Sequence, residues 1–459
     1  MMEIVLDNEV IVTEPNKRII EFIKNNLIFD NPEYIKKVKR NLWVGLTPQK
    51  IEVFYQVGNS LHLPFGVWKD IYILCTEEER KFVTLKIKKI ERKPIKSSVK
   101  LYDYQEEAVK KIIKTRNGLV VAGAGSGKTM IALETVARIG GSMLWLTHTK
   151  DLLEQAKCRF LANYDVDLKD IGTVSEGKVN IQRYTFATVQ TMCKKNLESF
   201  KHCFDIIIVD EFHNVKKINN FTLFDKVISN LSAMYKIGIT ATDYRNDGNF
   251  RAALTLIGDK MCEIPRSEIE KNLSPLKIKR IEIPFEIETK IFLNSDGTIN
   301  YHEIIKNLVK NEKRNNKIVE TLKKIDKPTI VLSERIAHLL ELQKMLGEGV
   351  VITSETSKKM KEVRKKVFEN LNNGTIKVVF ATYKLLKEGV DIPKLEYIIF
   401  ASPIKDPIAV EQASGRVMRK AEGKEYGTVI DIVDNFGLFK GFEKARVKVY
   451  KKIGGKYIE

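Results

Sequence analysis

Eight consecutive residues carry the clearest chemistry in the sequence: Ala122-Gly123-Ala124-Gly125-Ser126-Gly127-Lys128-Thr129. Small residues in such a loop let backbone N–H groups approach phosphate oxygens. An apolar run precedes the loop and a helical pattern follows it, so the loop opens a helix, whose N-terminus favours negative charge. Gly123, Gly125, Ser126 and Gly127 would form the cradle, Lys128 would reach the β- and γ-phosphates, and the Thr129 hydroxyl would ligate Mg²⁺. Further on, Ile206-Ile207-Ile208-Val209 runs into Asp210-Glu211-Phe212-His213. Asp210 would hold the metal ion through water, and Glu211 would orient or deprotonate the attacking water. A charged cluster that merely ends a buried strand is the bland alternative, and the phosphate loop upstream argues against it.

A second constellation lies in Gln412-Ala413-Ser414-Gly415-Arg416-Val417-Met418-Arg419. Arg416 and Arg419 are three apart, so on a helix both would project from one face. Planar guanidinium groups suit a γ-phosphate whose charge spreads in the transition state. In isolation such a pair reads as solvated surface charge.

These groups need elements to hold them. From residue 99 onward, short buried-looking runs alternate with helical patterns: Gly118–Ala122, Met143–Thr147, Tyr184–Thr188, 206–209 and 236–239. The texture repeats at 329–332, 350–353, 378–381, Tyr397–Phe400 and 428–432. That pattern predicts parallel α/β sheets. The fold class is therefore α/β: two tandem parallel-sheet lobes, at 99–285 and 286–459, preceded by a small α+β domain at 1–98. In the first domain we expect helices at 16–26 and 32–41, alternating segments at 51–55 and 71–74, and a turn at 63–66. The Lys- and Arg-dense stretch 81–100 reads as a last strand and a linker, and 278–316 as the crossover between lobes.

The chain has 459 residues, and 78 Lys and Arg against 59 Asp and Glu leave a net charge of +19. Such an excess suggests a polyanionic partner. Basic clusters at 86–93, 358–366 and 440–452 would add a nonspecific field, though each alone could be a solvated face. Tyr55, Phe65, Trp68 and Phe436 are candidate stacking aromatics, with core packing as the plainer reading of each. The five cysteines form no C-x-x-C pair. Their odd number and spacing argue against a disulfide framework and for a reducing compartment, and together with His202, His213 and His302 they fit no zinc signature. No signal-peptide pattern and no bilayer-length apolar run occurs, so the expectation is a cytoplasmic protein without a membrane partner. Oligomeric state is not legible, and a monomer is the default.

Taken together, these residues resemble the motif series of superfamily 2 helicases over residues 99–435, which implies that both α/β lobes are RecA-like and that the small domain before them binds DNA. Leu101-Tyr102-Asp103-Tyr104-Gln105 is similar to the Q-type motif, which implies that Gln105 reads adenine; Tyr102 and Asp103 stand where Arg and Pro are usual. Leu146-Thr147-His148-Thr149 and Thr188-Val189-Gln190-Thr191 resemble motifs Ia and Ib. Asp210 to His213 is a DEAH-type box with Phe212 third, and Thr240-Ala241-Thr242 resembles motif III. Ser333-Glu334-Arg335 falls where motif IV belongs, while Ala381-Thr382 and Glu388-Gly389-Val390-Asp391 resemble motif V. Motif VI, Q-x-x-G-R-x-x-R, matches without a gap.

The resemblance implies nucleic-acid contacts from Thr147, Thr149, Thr188, Gln190, Ser333, Arg335 and Thr382. It implies nucleotide contacts from Gly389, Asp391 and Gln412, and coupling by His213, Thr240 and Thr242. Arg245 and Asp247 match a loop of UvsW-like phage helicases and their excision-repair and poxvirus transcript-release relatives; the repair group's Arg-x-Asp there contacts DNA, which implies the same for Arg245, with a salt-bridged loop as the plainer reading. The implied activity is ATP-dependent unwinding or translocation on forked or branched DNA, with ATP and Mg²⁺ as cofactors and the nucleotide between the lobes. An RNA helicase or transcript-release factor, a non-hydrolysing nucleotide-gated clamp and the motor of a restriction assembly remain alternatives.

Overall fold

The computed structural model describes residues 2–123, 125–215, 223–241, 250–285, 293, 298–353, 358–383, 385 and 392–459, with the side chains of 358–361 excepted. The chain forms two compact units, Met1–Pro265 and Arg266–Glu459.

An eight-stranded sheet dominates the first unit. Its order is Lys178–Asn180, Ile171–Ser175, Tyr184–Thr188, Met143–Thr147, Ile206–Asp210, Tyr235–Thr240, Gly118–Ala122 and Lys260–Ile264. Only the edge pair Ile171–Ser175 and Lys178–Asn180 is antiparallel. The central strands are buried along their whole length, which is why they read as unbroken apolar runs. Parallel strands deliver their carboxyl ends to one edge, and the phosphate loop, Thr147, Thr188, Asp210 and Thr240 all end or follow strands there.

The first residues of the chain make a smaller sheet ordered Tyr55–Val57, Ser60–Pro64, Glu9–Thr13, Glu3–Leu6 and Val83–Leu85. It packs on the helices Lys17–Asn26 and Trp68–Leu74, and its core takes in Ala252 from the larger sheet's helical layer. The join is polar as well as apolar. Gly66 N–H donates to Thr255 O at 2.8 Å, and a Cβ at Gly66 would lie 2.3 Å from Gly258 N. Asn8 Nδ2 donates to Ser229 O at 2.7 Å, and Lys201 pairs with Asp7 at 3.0 Å. Lys236, fully buried on the strand Tyr235–Thr240, donates to Asn8 O at 3.1 Å and Ile228 O at 3.0 Å.

The second unit is built on a seven-stranded parallel sheet: Val350–Ile352, Val378–Thr382, Thr329–Ser333, Tyr397–Phe400, Gly427–Asn435, Leu276–Pro284 and Lys456–Ile458. Two carboxylates on Gly427–Asn435 anchor helices to it. Asp434 takes a bidentate pair from Arg314 at 2.6 and 3.0 Å, and Asp431 binds Arg446 at 2.9 Å and the Tyr450 hydroxyl at 3.2 Å. Each buried charge is thereby paired and hydrogen-bonded, the condition under which burial is tolerated.

Three expectations need correction. The units divide after Pro265 rather than after residue 285, because Leu276–Pro284 pairs with Gly427–Asn435 in the second sheet. Residues 278–284 of that strand fall in the stretch expected as the crossover. Residues 71–74 belong to the helix Trp68–Leu74, where Ile71 alone is fully buried. Arg446 was grouped with an exposed basic face but is buried against Asp431. No helix among the described residues is long and apolar enough to cross a membrane.

Desolvation lowers the Lys236 amine from 10.5 to about 7, against the pull of Asp7 and Glu9. Between these values the unfolded chain holds a proton that the folded chain has shed, so stability rises with pH across that window. We expect the wild type to gain on Lys236→Met by up to about 1.4 kcal/mol per pH unit between pH of about 7 and 9, measured by urea denaturation. A difference that does not change with pH would mean the amine stays charged in place.

Candidate nucleotide and nucleic-acid site

The strand Gly118–Ala122 feeds the phosphate loop, and the helix Lys128–Ile139 leaves it. Gly125 and Gly127 adopt φ values of +85° and +75°, open to glycine without strain. A Cβ at Gly127 would sit 2.4 Å from Gln105 Nε2. Gln105 is buried against this loop: its Nε2 donates to Ser126 O at 2.8 Å, and its Oε1 accepts from Tyr102 N at 3.0 Å. Tyr104 Oη donates to the same carbonyl at 3.1 Å. Gln105 thus braces the loop, and adenine would compete for a carboxamide already engaged at both ends.

The strand Ile206–Asp210 carries the acidic pair. Asp210 and Glu211 are both buried. Glu211 takes φ of +52°, a left-handed conformation that costs a non-glycine residue about 1–3 kcal/mol and occurs at functional turns. Lys128 Nζ lies 3.2 Å from Glu211 Oε1, and His213 Nδ1 lies 3.3 Å from Glu211 Oε2. His213 Nδ1 is also 3.1 Å from Thr240 Oγ1 at the end of the neighbouring strand. A continuous polar path therefore runs from the phosphate loop through the acidic box to the start of motif III. Burial and the adjacent Glu211 raise the Asp210 carboxyl. Burial also presses on Glu211, but Lys128 and His213 outweigh it and hold that carboxylate lower. Phe212 is fully buried, and a Cβ on Gly238 would come 2.8 Å from its ring. The unusual third residue of the box therefore fills space over a strand glycine.

The donor set fits a nucleoside triphosphate with Mg²⁺. Ser126 Oγ is buried with no hydrogen-bond partner among the described residues, beside two left-handed glycines at a helix N-terminus. Thr129 lies in the first helical turn, and Asp210 ends the next strand but one from Gly118–Ala122. No group of three or more His, Cys, Asp and Glu side chains that could hold a metal occurs among the described residues. A hard divalent ion there would complete its shell with phosphate oxygens and water, as Mg²⁺ ordinarily does.

The residues expected to touch nucleic acid divide into two kinds. Thr147 and Thr188 end adjacent parallel strands, opposite one another in register. Both are buried, and their hydroxyls are spent locally: Thr147 Oγ1 donates to Thr149 O at 2.9 Å, and Thr188 Oγ1 donates to Thr191 Oγ1 at 3.1 Å. In this structure the two hydroxyls shape the loops that leave the strands. Thr149 caps the helix Lys150–Asn163 by accepting from Leu152 N at 3.3 Å. Gln190 is exposed, and its Nε2 donates to His148 O at 2.8 Å, tying motif Ib to motif Ia.

The second unit repeats this plan. Ser333 and Thr382 end adjacent parallel strands in register. Ser333 is fully buried, with Oγ 2.9 Å from His338 Nδ1, so it too is a positioning group. His338 Nε2 meets Asn315 Oδ1 at 3.0 Å, which makes Nε2 the protonated nitrogen, and burial followed by Arg314 pushes the imidazole well below its ordinary value. Arg335 lies at the surface with Nη2 2.9 Å from His302 Nδ1. Thr382 Oγ1 is buried without a partner among the described residues.

Motif VI departs from expectation. Its helix is Pro407–Val417, capped by Asp406, so Gln412 and Arg416 share a face one turn apart. Arg419 lies past the helix end in a β-bridge with Leu273, and the shared-face argument does not extend to it. The stacking candidates are also committed elsewhere. Phe65 is buried, Trp68 packs on the small sheet's core, Tyr55 stacks on His62, and Phe436 joins Phe285 and Phe439. Trp43, 87% exposed, was overlooked because a single aromatic in a loop has no periodicity to mark it. Ala124, Thr242, Arg245, Asp247, Gly389 and Asp391 lie outside the described residues, as do the side chains of Lys358, Lys359 and Lys361.

Comparison with known proteins agrees with this geometry. Residues 98–245 match the family model of the type III restriction enzyme res subunit, and residues 309–421 match the helicase conserved C-terminal domain. The chain is 26% identical to helicase 22 of Sulfolobus islandicus filamentous virus over 93% of this chain and 82% of that protein. It is 27% identical to a protein of Acanthamoeba polyphaga mimivirus named an ATP-dependent RNA helicase, over 77% and 68%. It is 25% identical to the DNA 3'-5' translocase XPB2 of Sulfurisphaera tokodaii, over 72% and 80%. Among solved structures, a fragment of a type I restriction enzyme HsdR subunit from Vibrio vulnificus superposes with a TM-score of 0.56 at 18% identity, over 77% of this chain and 68% of that one, a likeness of fold. With both helicase modules matched in order and together spanning more than half of its length, the chain belongs to the superfamily 2 helicases.

Proposed function

We propose that the chain is an ATP-driven DNA helicase or translocase that works on forked or branched DNA. The observation that carries this reading is the contact path Lys128–Glu211–His213–Thr240. It joins the groups that would handle phosphate and water to the strand end from which motif III departs, as coupling hydrolysis to movement requires. Lys128 would hold the β- and γ-phosphates, Thr129 and Asp210 the metal ion, and Glu211 would orient the attacking water and receive its proton. Mg²⁺, when bound, supplies charge neutralisation at the phosphates. Arg416 and Arg419 would stabilise charge on the γ-phosphate, and Gln412 would face the same group. Coulombic support from Lys128 keeps Glu211 ionised, so the base is ready near neutral pH. The net charge of +19 and the relative named a DNA translocase favour DNA as the track.

The relative named an RNA helicase favours a second reading, in which the track is RNA. The phosphate and backbone contacts expected of these motifs do not separate the two.

Lys128→Ala should lower ATP turnover at least about 100-fold, the scale set by loss of one preorganised charge-stabilising donor. It should leave DNA binding within about threefold, read by steady-state phosphate release and fluorescence anisotropy. Normal turnover would remove Lys128 from the site. Arg416→Ala should keep nucleotide affinity while turnover falls about 1,000-fold or more, the effect of an arginine finger. Unchanged turnover would exclude that role. Forked DNA should stimulate ATPase activity several-fold more than RNA of matched sequence; the reverse order would establish the RNA reading.

A further inference from the structure

The helix Pro32–Lys39 ends in a loop whose apolar side chains point into solvent. Trp43 is 87% exposed, Leu46 is fully exposed and Leu42 is more than half exposed. Water exposure of three such neighbours is costly unless something covers them. The loop is held firmly. Leu42 N–H donates to Lys37 O at 2.9 Å, and Thr47 N–H donates to Val44 O at 3.0 Å. Lys37 Nζ donates to Thr47 Oγ1 at 2.6 Å, and Asn31 Nδ2 to Pro48 O at 2.7 Å, closing the base. Gly45 takes φ of +53°, and a Cβ there would lie 2.9 Å from the Trp43 ring. One face of the indole therefore lies across a glycine while the rest is offered to solvent, and the hydrogen-bonded loop beneath it needs little reordering on binding.

The surroundings are cationic. Lys36, Lys37, Lys39 and Arg40 come from the helix and its end, with Glu33 as the lone acid among residues 32–50. An apolar protein groove would have to desolvate those cations. A nucleic acid satisfies both features at once, with phosphates for the cations and a flat base for the indole.

We infer that Trp43 is a nucleobase-stacking site, taking the end base of a duplex or an unpaired base at a fork while the basic helix holds the adjoining phosphates. This rests on the reading of the chain as a nucleic-acid motor and adds to it a defined contact outside the helicase motifs.

Intrinsic fluorescence tests it. Of the three tryptophans, Trp145 is fully buried and Trp68 is half-buried against the small sheet's core, so Trp43 dominates the solvent-accessible emission and the Trp43→Ala variant gives the background from Trp68. Forked DNA should quench that emission and protect it from acrylamide. Trp43→Ala should weaken fork binding about 5- to 150-fold, the range for one stacked base, and Trp43→Phe should restore most of it. ATPase activity at saturating single-stranded DNA should stay within about twofold in both variants. A fork that stimulates ATPase yet leaves Trp43 emission and the Trp43→Ala affinity unchanged overturns the site and keeps the motor. A fork that shields Trp43 without stimulating ATPase keeps the site and removes the motor. Protection by phosphatidylserine vesicles but not by DNA would overturn the inference in favour of a membrane surface.

Discussion

Two carboxylates side by side at the buried end of one strand cannot both stay ionised without a cation beside them. Asp210 and Glu211 face that constraint, and Lys128 resolves half of it by lying 3.2 Å from Glu211. The lysine can do so because it opens a helix next to the acidic strand's end, and that position depends on the parallel order of the sheet. Glu211 is further bent into a left-handed turn that aims it between Lys128 and His213. Asp210, left without so close a cation and raised by burial, is the group with most to gain from a metal ion. The phosphate loop and the acidic box are therefore one electrostatic unit, in which neither half is stable in its charge state without the other.

Both units follow the same rule at the carboxyl ends of their sheets. Short hydroxyl residues end adjacent strands in register, Thr147 with Thr188 and Ser333 with Thr382. Three of the four hydroxyls are engaged in local hydrogen bonds. A buried hydroxyl must be satisfied, and a loop that turns sharply out of a buried strand offers backbone groups to satisfy it. Such residues give the loops a fixed shape, and their neighbours Gln190, exposed, and Arg335, half-buried, tie the loops together through His148 O and His302 Nδ1. Substituting Thr147 would disturb loop geometry before it disturbed any direct contact.

The sheets were legible because strands buried on both faces leave unbroken apolar runs, as in Ile206–Asp210 and Gly118–Ala122. The phosphate loop was legible because its glycines have a backbone reason to be there. Elements of mixed polarity were not: Leu276–Pro284, paired on both sides in its sheet, carries lysines, arginine and glutamate among isoleucines, so it resembles a surface connection more than a strand of a parallel sheet. Residues 71–74 are too short to separate period two from period 3.6, and neighbouring Trp68 and Asp70 complete a helical turn. Arg419 was placed on the wrong element because the spacing of three fits a helix, whereas Met418 already ends it. Burial of Thr147 and exposure of Trp43 are tertiary facts, and nothing in their immediate sequence encodes either.

The small N-terminal sheet is tied to the motor at a telling place. Lys236 lies on the strand that ends in Thr240, the residue His213 touches, and its amine is bonded to the Asn8 carbonyl of the small sheet. Ala252, within the small sheet's core, belongs to the helix Phe250–Leu254 that follows the same strand in sequence. A displacement of the strand Tyr235–Thr240 would have to break the Lys236 bonds or carry the small sheet with it. Breaking them leaves a buried amine and two carbonyls unsatisfied, a penalty of about 1–3 kcal/mol for each group, so moving together is the cheaper response. The small sheet is on this account a rigid extension of the nucleotide-binding unit, and a displacement of the strand Tyr235–Thr240 is carried into it.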